Sequence, residues 1–106
     1  MQPVILYAVR VKGTQRYLPR SQRRDERGGS HLEPVDFTDR STWPERYAKD
    51  MMIRTYTTER AAKAMLTAWC QGKFYRDSEG DSWCKAQPDR DPNKMEVVAL
   101  ELHLPK

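Results

Sequence analysis

The chain has 106 residues, 38% hydrophobic and 32% charged, with a net charge of +4 and two cysteines. That length is one domain's worth and supports a single core without staples, and no run approaches the roughly 18 apolar residues that span a bilayer. Two cysteines exclude a disulfide scaffold, and the expected compartment is the cytoplasm, where Cys70 and Cys84 stay reduced.

The opening MQPVILYAVRVKG has no basic flank before its apolar run and no small-residue cleavage site. It reads as a strand, not a signal peptide. The strand is predicted over Val4–Val11, rich in β-branched and aromatic residues. Its first half is apolar on both faces, which points to a covered sheet. Gly13-Thr14 is a turn signal. Gln15–Leu18 is predicted as a short partner strand, ended by Pro19, which cannot donate to a ladder.

From Pro19 to about Asp39 no hydrophobic period is sustained. The segment PRSQRRDERGGSHLEPVDFTD reads as a mobile basic loop, long for a compact domain and of a length that is usually functional. Val35 and Phe37 are expected to anchor its far end. Thr42-Trp43-Pro44-Glu45 has the form of a capping box opening a short helix to about Asp50. Met51–Tyr56 is predicted as a strand.

Thr57 or Thr58 caps the main helix, which runs to about Gln71. Ala61, Ala62, Met65, Leu66 and Trp69 form its apolar stripe, and Gly72 stands where a left-handed residue ends a helix. Lys73–Arg76 and Trp83–Lys85 flank the turn sequence DSEGDS as a hairpin. QPDRDPNK is a loop. Met95–Leu104 closes the chain as a strand, with Val98, Leu100, Leu102 and Leu104 on one face and its core side alternating with polar positions. The fold expected is α+β: a small antiparallel sheet of N- and C-terminal strands packed on the main helix, with a shorter helix, in one domain over residues 1–106.

The chemistry-bearing residues do not assemble into a known motif. Cys70 and Cys84 are fourteen apart in the chain, and His31 and His103 lie far from both, so zinc spacing is missing. His31-Leu32-Glu33 matches the start of a zinc-deaminase pattern, but the later P-C-x-x-C is absent. His31, Glu33, Asp36 and Asp39 cluster in sequence, interrupted by Pro34, and read as a solvated loop. Asp77, Glu79 and Asp81 resemble a calcium loop without its later bidentate glutamate. No cofactor, metal or catalytic group is expected.

Charge is the informative asymmetry. Residues 1–30 hold seven Lys/Arg against two acids, and residues 31–106 hold twelve against thirteen. Arg16, Arg20, Arg23, Arg24 and Arg27 lie close together with Tyr17 among them. Clustered cations of this kind bind phosphates or carboxylates. The neighbouring Asp25 and Glu26 favour a merely solubilising loop. The binding residues expected are Arg16, Tyr17, Arg20, Arg23, Arg24 and Arg27, with Trp43 as a second aromatic anchor.

The segments YAVRVKGTQRYLP and RTYTTERAAKAML, followed by a terminal strand, resemble small accessory proteins of tailed phages and prophages. The shared features are a strand ending at Lys-Gly, a tyrosine in the next segment and an aromatic-Thr entry to an Ala-rich helix. The resemblance covers about half the chain. It implies binding rather than catalysis, since such proteins are often inhibitors or modulators of host machinery, anti-defence proteins included. The expected function is a non-enzymatic binder of a host protein or nucleoprotein, with no membrane partner. The alternative is sequence-independent binding of DNA or RNA through residues 16–27.

Overall fold

The computed structural model describes residues 4–21, 29–47 and 51–102. The first and last predicted strands pair with each other. Strand β1 (Val4–Val11) and the C-terminal strand, Met95–Leu102, run antiparallel from Val4↔Leu102 to Val11↔Met95. After a turn at Gly13, whose φ of 69° suits glycine, β2 (Arg16–Tyr17) returns along β1 with Arg10 opposite Tyr17. Strand β3 (Val35–Asp36) pairs on β2, with Tyr17 opposite Val35.

Helix α1 (Glu59–Gln71) begins where Thr58 accepts a hydrogen bond from the Ala61 N–H at 3.1 Å. Such a cap stabilises a helix by about 1 kcal/mol. Its inner stripe is Ala62, Met65, Leu66, Trp69 and Cys70, at helical spacing. Ala61, expected on that stripe, is exposed. The helix packs on Val9 and Met95, with Tyr7, Val11 and Val97 around them. Each fully buried side chain of this kind contributes about 1.5–3 kcal/mol.

Past the helix, β4 (Lys73–Arg76) and β5 (Ser82–Lys85) form the predicted hairpin, in register from Lys73↔Lys85 to Arg76↔Ser82. The terminal strand is thus β6, and the larger sheet has the order β3-β2-β1-β6. Gly72 joins helix to hairpin at φ 132°. A Cβ there would lie 2.8 Å from the Lys85 carbonyl carbon and 3.0 Å from the Ala86 Cα. Close backbone approach fixes glycine at this position as firmly as conformation does.

Four further expectations differ from the structure. No helix starts at Thr42; it ends a three-residue 3-10 turn, Arg40–Thr42, capped by Asp39. Asp39 binds the Ser41 N–H and hydroxyl at 3.1 and 2.6 Å. Trp43 is extended at ψ 141°, the conformation favoured before proline. The end of the expected helix, residues 48–50, lies outside the described residues. Met51–Tyr56 is not a strand but a segment with two bridges, Tyr7↔Tyr56 and Pro19↔Ile53. Pro19 has no N–H with which to extend that ladder.

The third difference is the inward face of β6. Met95 and Val97 join the helix-side core, so Val98, Leu100 and Leu102 take the opposite face. Leu104 lies outside the described residues. Both faces are apolar, and alternation alone does not choose between them. Fourth, the described part of the expected mobile loop is built structure from Gly29 onward. Leu32, Val35, Trp43, Tyr47 and Met51 form a second core with Phe37 against it.

Arg90 ties these parts together. Its side chain is 2% exposed and pairs with Glu33 Oε1 at 2.8 Å. It also donates to the Trp69 carbonyl at 2.9 Å, with its guanidinium 4.2 Å from the Trp69 ring centroid. The Trp69 indole donates to the Leu32 carbonyl at 2.8 Å. The helix C-terminus, the 29–33 segment and the loop before β6 therefore meet around one cation.

Candidate functional site

Among the described residues, Arg16 and Arg20 line different surfaces. Arg16 is exposed on β2, opposite Asp36. The Asp36 carboxyl is held below its ordinary range, chiefly by hydrogen bonds from Thr38 and secondarily by the Arg16 charge. Arg16 lines a small depression with Glu33 and Arg90, whereas Arg20 lines a larger groove elsewhere. Arg23, Arg24 and Arg27 lie outside the described residues.

The two expected aromatic anchors are core residues. Tyr17 and Trp43 are each 5% exposed. Arg10 reaches the Tyr17 hydroxyl at 3.5 Å, and the Trp43 indole donates to the Asp36 carbonyl at 2.8 Å. Neither presents a ring face to a partner. The cluster that buries Trp43 is assembled from residues 32–51 only when the chain folds back, and Tyr17 is buried within the sheet between Arg10 and Val35.

The His31, Glu33, Asp36 and Asp39 group does not converge. His31 Nε2 donates to the Phe74 carbonyl at 2.5 Å and its ring meets Tyr75 edge-on. Glu33 pairs with Arg90, while Asp36 and Asp39 hold local turns. Asp77, Glu79 and Asp81 do bring carboxylate oxygens within 4.8 Å of one another. Asp77 Oδ1 there accepts the Glu79 and Asp81 N–H groups, both at 2.9 Å, so the gathering follows from the turn. Of the cysteines, Cys70 has its thiol pushed up by burial, which keeps it protonated and a poor nucleophile.

What the structure assembles instead is an apolar groove of about 870 Å³ at the open end of the main sheet. Leu6 and Leu100, directly opposite on β1 and β6, form its sheet wall with Leu102. Phe37, Met51, Met52 and Ile53 form the other wall, with Arg20 at the rim. Met52 is 64% exposed, Leu102 46% and Val4 42%. The Arg20 backbone N–H donates to the Met52 carbonyl at 2.8 Å, which ties the two backbones together at the rim.

Local sequence explains this wall. Pro19 stops β2, the chain leaves β1, and residues 51–56 take the vacated place beside Tyr7, joined by paired Tyr7–Tyr56 backbone hydrogen bonds of 2.8 Å. The Arg54 N–H also donates to the Leu18 carbonyl at 3.1 Å, so the segment is tied on both sides by isolated bridges rather than a regular ladder. The signal in the sequence was the unbroken apolar start of β1 and the adjacent Met51-Met52.

A concave, mostly apolar surface with a polar group at its edge is the usual form of a binding site. Methionine suits such a wall because its flexible thioether adapts to varied shapes. Comparison of the chain with protein-family models, curated proteins and solved structures gives no match. Among the described residues no helix is long and apolar enough to cross a membrane.

Proposed function

We propose that the chain is a non-enzymatic binding protein, an accessory factor of phage or prophage type, that modulates a host protein or nucleoprotein. Its contact is the groove of Leu6, Phe37, Met52, Leu100 and Leu102, and the partner supplies an apolar segment with an acidic residue to meet Arg20. The observation that carries this reading is the exposed Met52 and Leu102 facing one concave surface that Arg20 also lines. Exposed apolar side chains gathered in this way cost solubility and usually mark an interaction site.

The rest of the arginine-rich segment, Arg23, Arg24 and Arg27, adds electrostatic steering toward an acidic partner in this reading. The test is affinity capture from host lysate with the wild-type chain, Met52→Asp, Leu102→Asp and Arg20→Ser. The expected result is one partner held by the wild type and lost by both aspartate variants, with faster dissociation for Arg20→Ser. A partner captured equally by all four, with all four folded, sinks the groove as the contact.

A further inference from the structure

We propose that the β4–β5 hairpin is a stacking platform for a single-stranded nucleic acid, separate from the groove. Strand alternation sets the faces of the hairpin. Lys73 and Tyr75 share one face of β4, and Trp83 and Lys85 share a face of β5. Register puts Tyr75 opposite Trp83 and Lys73 opposite Lys85, so all four lie on one side. The Tyr75 and Trp83 rings stack, with centroids 5.6 Å apart and planes 13° from parallel. Trp83 is 50% exposed.

The platform is rigid where it needs to be. His31 packs edge-on against Tyr75 at 4.6 Å. The Ser30 hydroxyl accepts the Phe74 N–H at 3.1 Å, and His31 donates to the Phe74 carbonyl, so both polar groups of that residue are held. At the base of the hairpin, Gly72 brings Lys85 against the helix end. The ring pair is therefore positioned before any ligand arrives, which lowers the cost of binding.

The lysines choose the ligand. Like charges directly opposite on antiparallel strands destabilise a sheet. Neither the Lys73 nor the Lys85 ammonium is in an ion pair among the described residues. An anion between them removes that repulsion. Two residues along the strand, about 7 Å away, is the aromatic pair, a spacing that matches a phosphate and its own base. Every nucleobase has a face to stack, so the platform is indifferent to sequence. The turn beyond carries Asp77, Glu79 and Asp81. It repels phosphates and confines the backbone to the lysine end.

The experiment measures binding of fluorescently labelled oligothymidylate and oligouridylate by anisotropy, alongside intrinsic tryptophan emission. Trp43 and Trp69 are 5% and 3% exposed, so quenching by a stacked base reports on Trp83. The expected result is quenching on binding, with a log–log salt slope of about −1.4 for two phosphate contacts to a single strand. Trp83→Ala weakens binding about tenfold, since stacking of one base is on the order of 1–3 kcal/mol, while Trp83→Phe retains most of it. Lys73→Ser with Lys85→Ser flattens the salt response, and the groove variant Met52→Asp changes neither.

Three outcomes overturn the proposal. One is no binding at low salt by the folded wild type. A second is binding unchanged by Trp83→Ala and by the paired lysine variant, which assigns the contact to the arginines of residues 16–27. The third is loss of a protein partner, with no nucleic-acid binding, on Trp83→Ala. A misfolded Trp83→Ala is covered by Trp83→Phe and by direct quenching in the wild type.

Discussion

Replacing Arg90 by methionine tests whether this fold hangs on one buried cation. The substitution keeps length and apolar volume but removes the charge and its donors. Two short hydrogen bonds disappear, to the Trp69 carbonyl at 2.9 Å and to Glu33 at 2.8 Å. Each charge-assisted bond contributes roughly 1.5–3 kcal/mol, and the desolvated contact over the Trp69 ring adds about 2 kcal/mol. Against this stands the several kcal/mol needed to desolvate the guanidinium, which the variant no longer requires. The orphaned partners also limit the damage. The Glu33 side chain is 46% exposed and returns to water, and the Trp69 carbonyl keeps the Gly72 N–H at 3.2 Å. The net loss expected is about 2–3 kcal/mol. In urea, with a slope of roughly 1–2 kcal/mol/M for a chain this small, the midpoint falls by about 1–3 M. Arg90→Lys keeps the charge but not the fork, and is expected to lose more than half as much. A midpoint unchanged or raised in Arg90→Met, with an unchanged slope, would refute the reasoning: the cation would then be a tolerated burial and not a tie.

Gly72→Ala forces a Cβ into the Lys85 backbone at a positive φ, so a loss above about 2 kcal/mol is expected in the same urea measurement; a loss below 0.5 kcal/mol counts against the close approach. Arg10 donates to Glu96 at 2.7 Å, and that bond is the main cause of the lowered Glu96 carboxyl. The folded value lies below the unfolded one, so the pair contributes above the ordinary carboxylate pKa of about 4.3 and fades as pH falls through the lowered value. Glu96→Gln should flatten the acid limb of a stability–pH profile there and leave its alkaline limb alone; identical acid limbs contradict the assignment. In a native thiol titration Cys84, which is exposed, should react before Cys70, which is half-buried and whose thiol is pushed up by desolvation; equal rates argue against that shielding.

The elements legible in the sequence were those with local causes. Strand β1 and helix α1 follow from β-branched runs, helical spacing and a Thr58 cap, and the β4–β5 hairpin follows from DSEGDS. The readings that went astray needed long-range information. Trp43 looks like the start of a helix until Asp39 takes the cap three residues earlier and Pro44 extends the chain before it. Its burial depends on Tyr47, Met51 and Leu32 arriving from both sides. The aromatic platform was equally hidden, because Tyr75 and Trp83 meet only once the hairpin register is set. Arg16 and Arg20 were parted for the same reason. Arg16 and Arg20 are four apart in sequence, yet the chain turns away from β1 at Pro19 and sends them to different surfaces.

Burial along β1 shows why the groove exists. Val4 is 42% exposed, while Ala8 is fully buried. Both side chains point to the face away from α1, as do their partners Leu102 and Val98. The sheet thus has two apolar faces and more apolar length than its covers reach. Alpha-helix α1 takes one face. On the other, Tyr17 and Val35 extend the sheet beside Arg10 and Ala8, while the wall of residues 51–56 stands off from Leu6 and Leu100 and leaves space between. Stability alone would favour polar residues at Val4, Leu6, Leu100 and Leu102, since an uncovered apolar strand end invites association. Leu102→Thr is therefore expected to change stability by less than about 0.5 kcal/mol, as for surface sites generally, while abolishing partner capture. A loss of several kcal/mol would instead place Leu102 in the core and leave the groove without its wall.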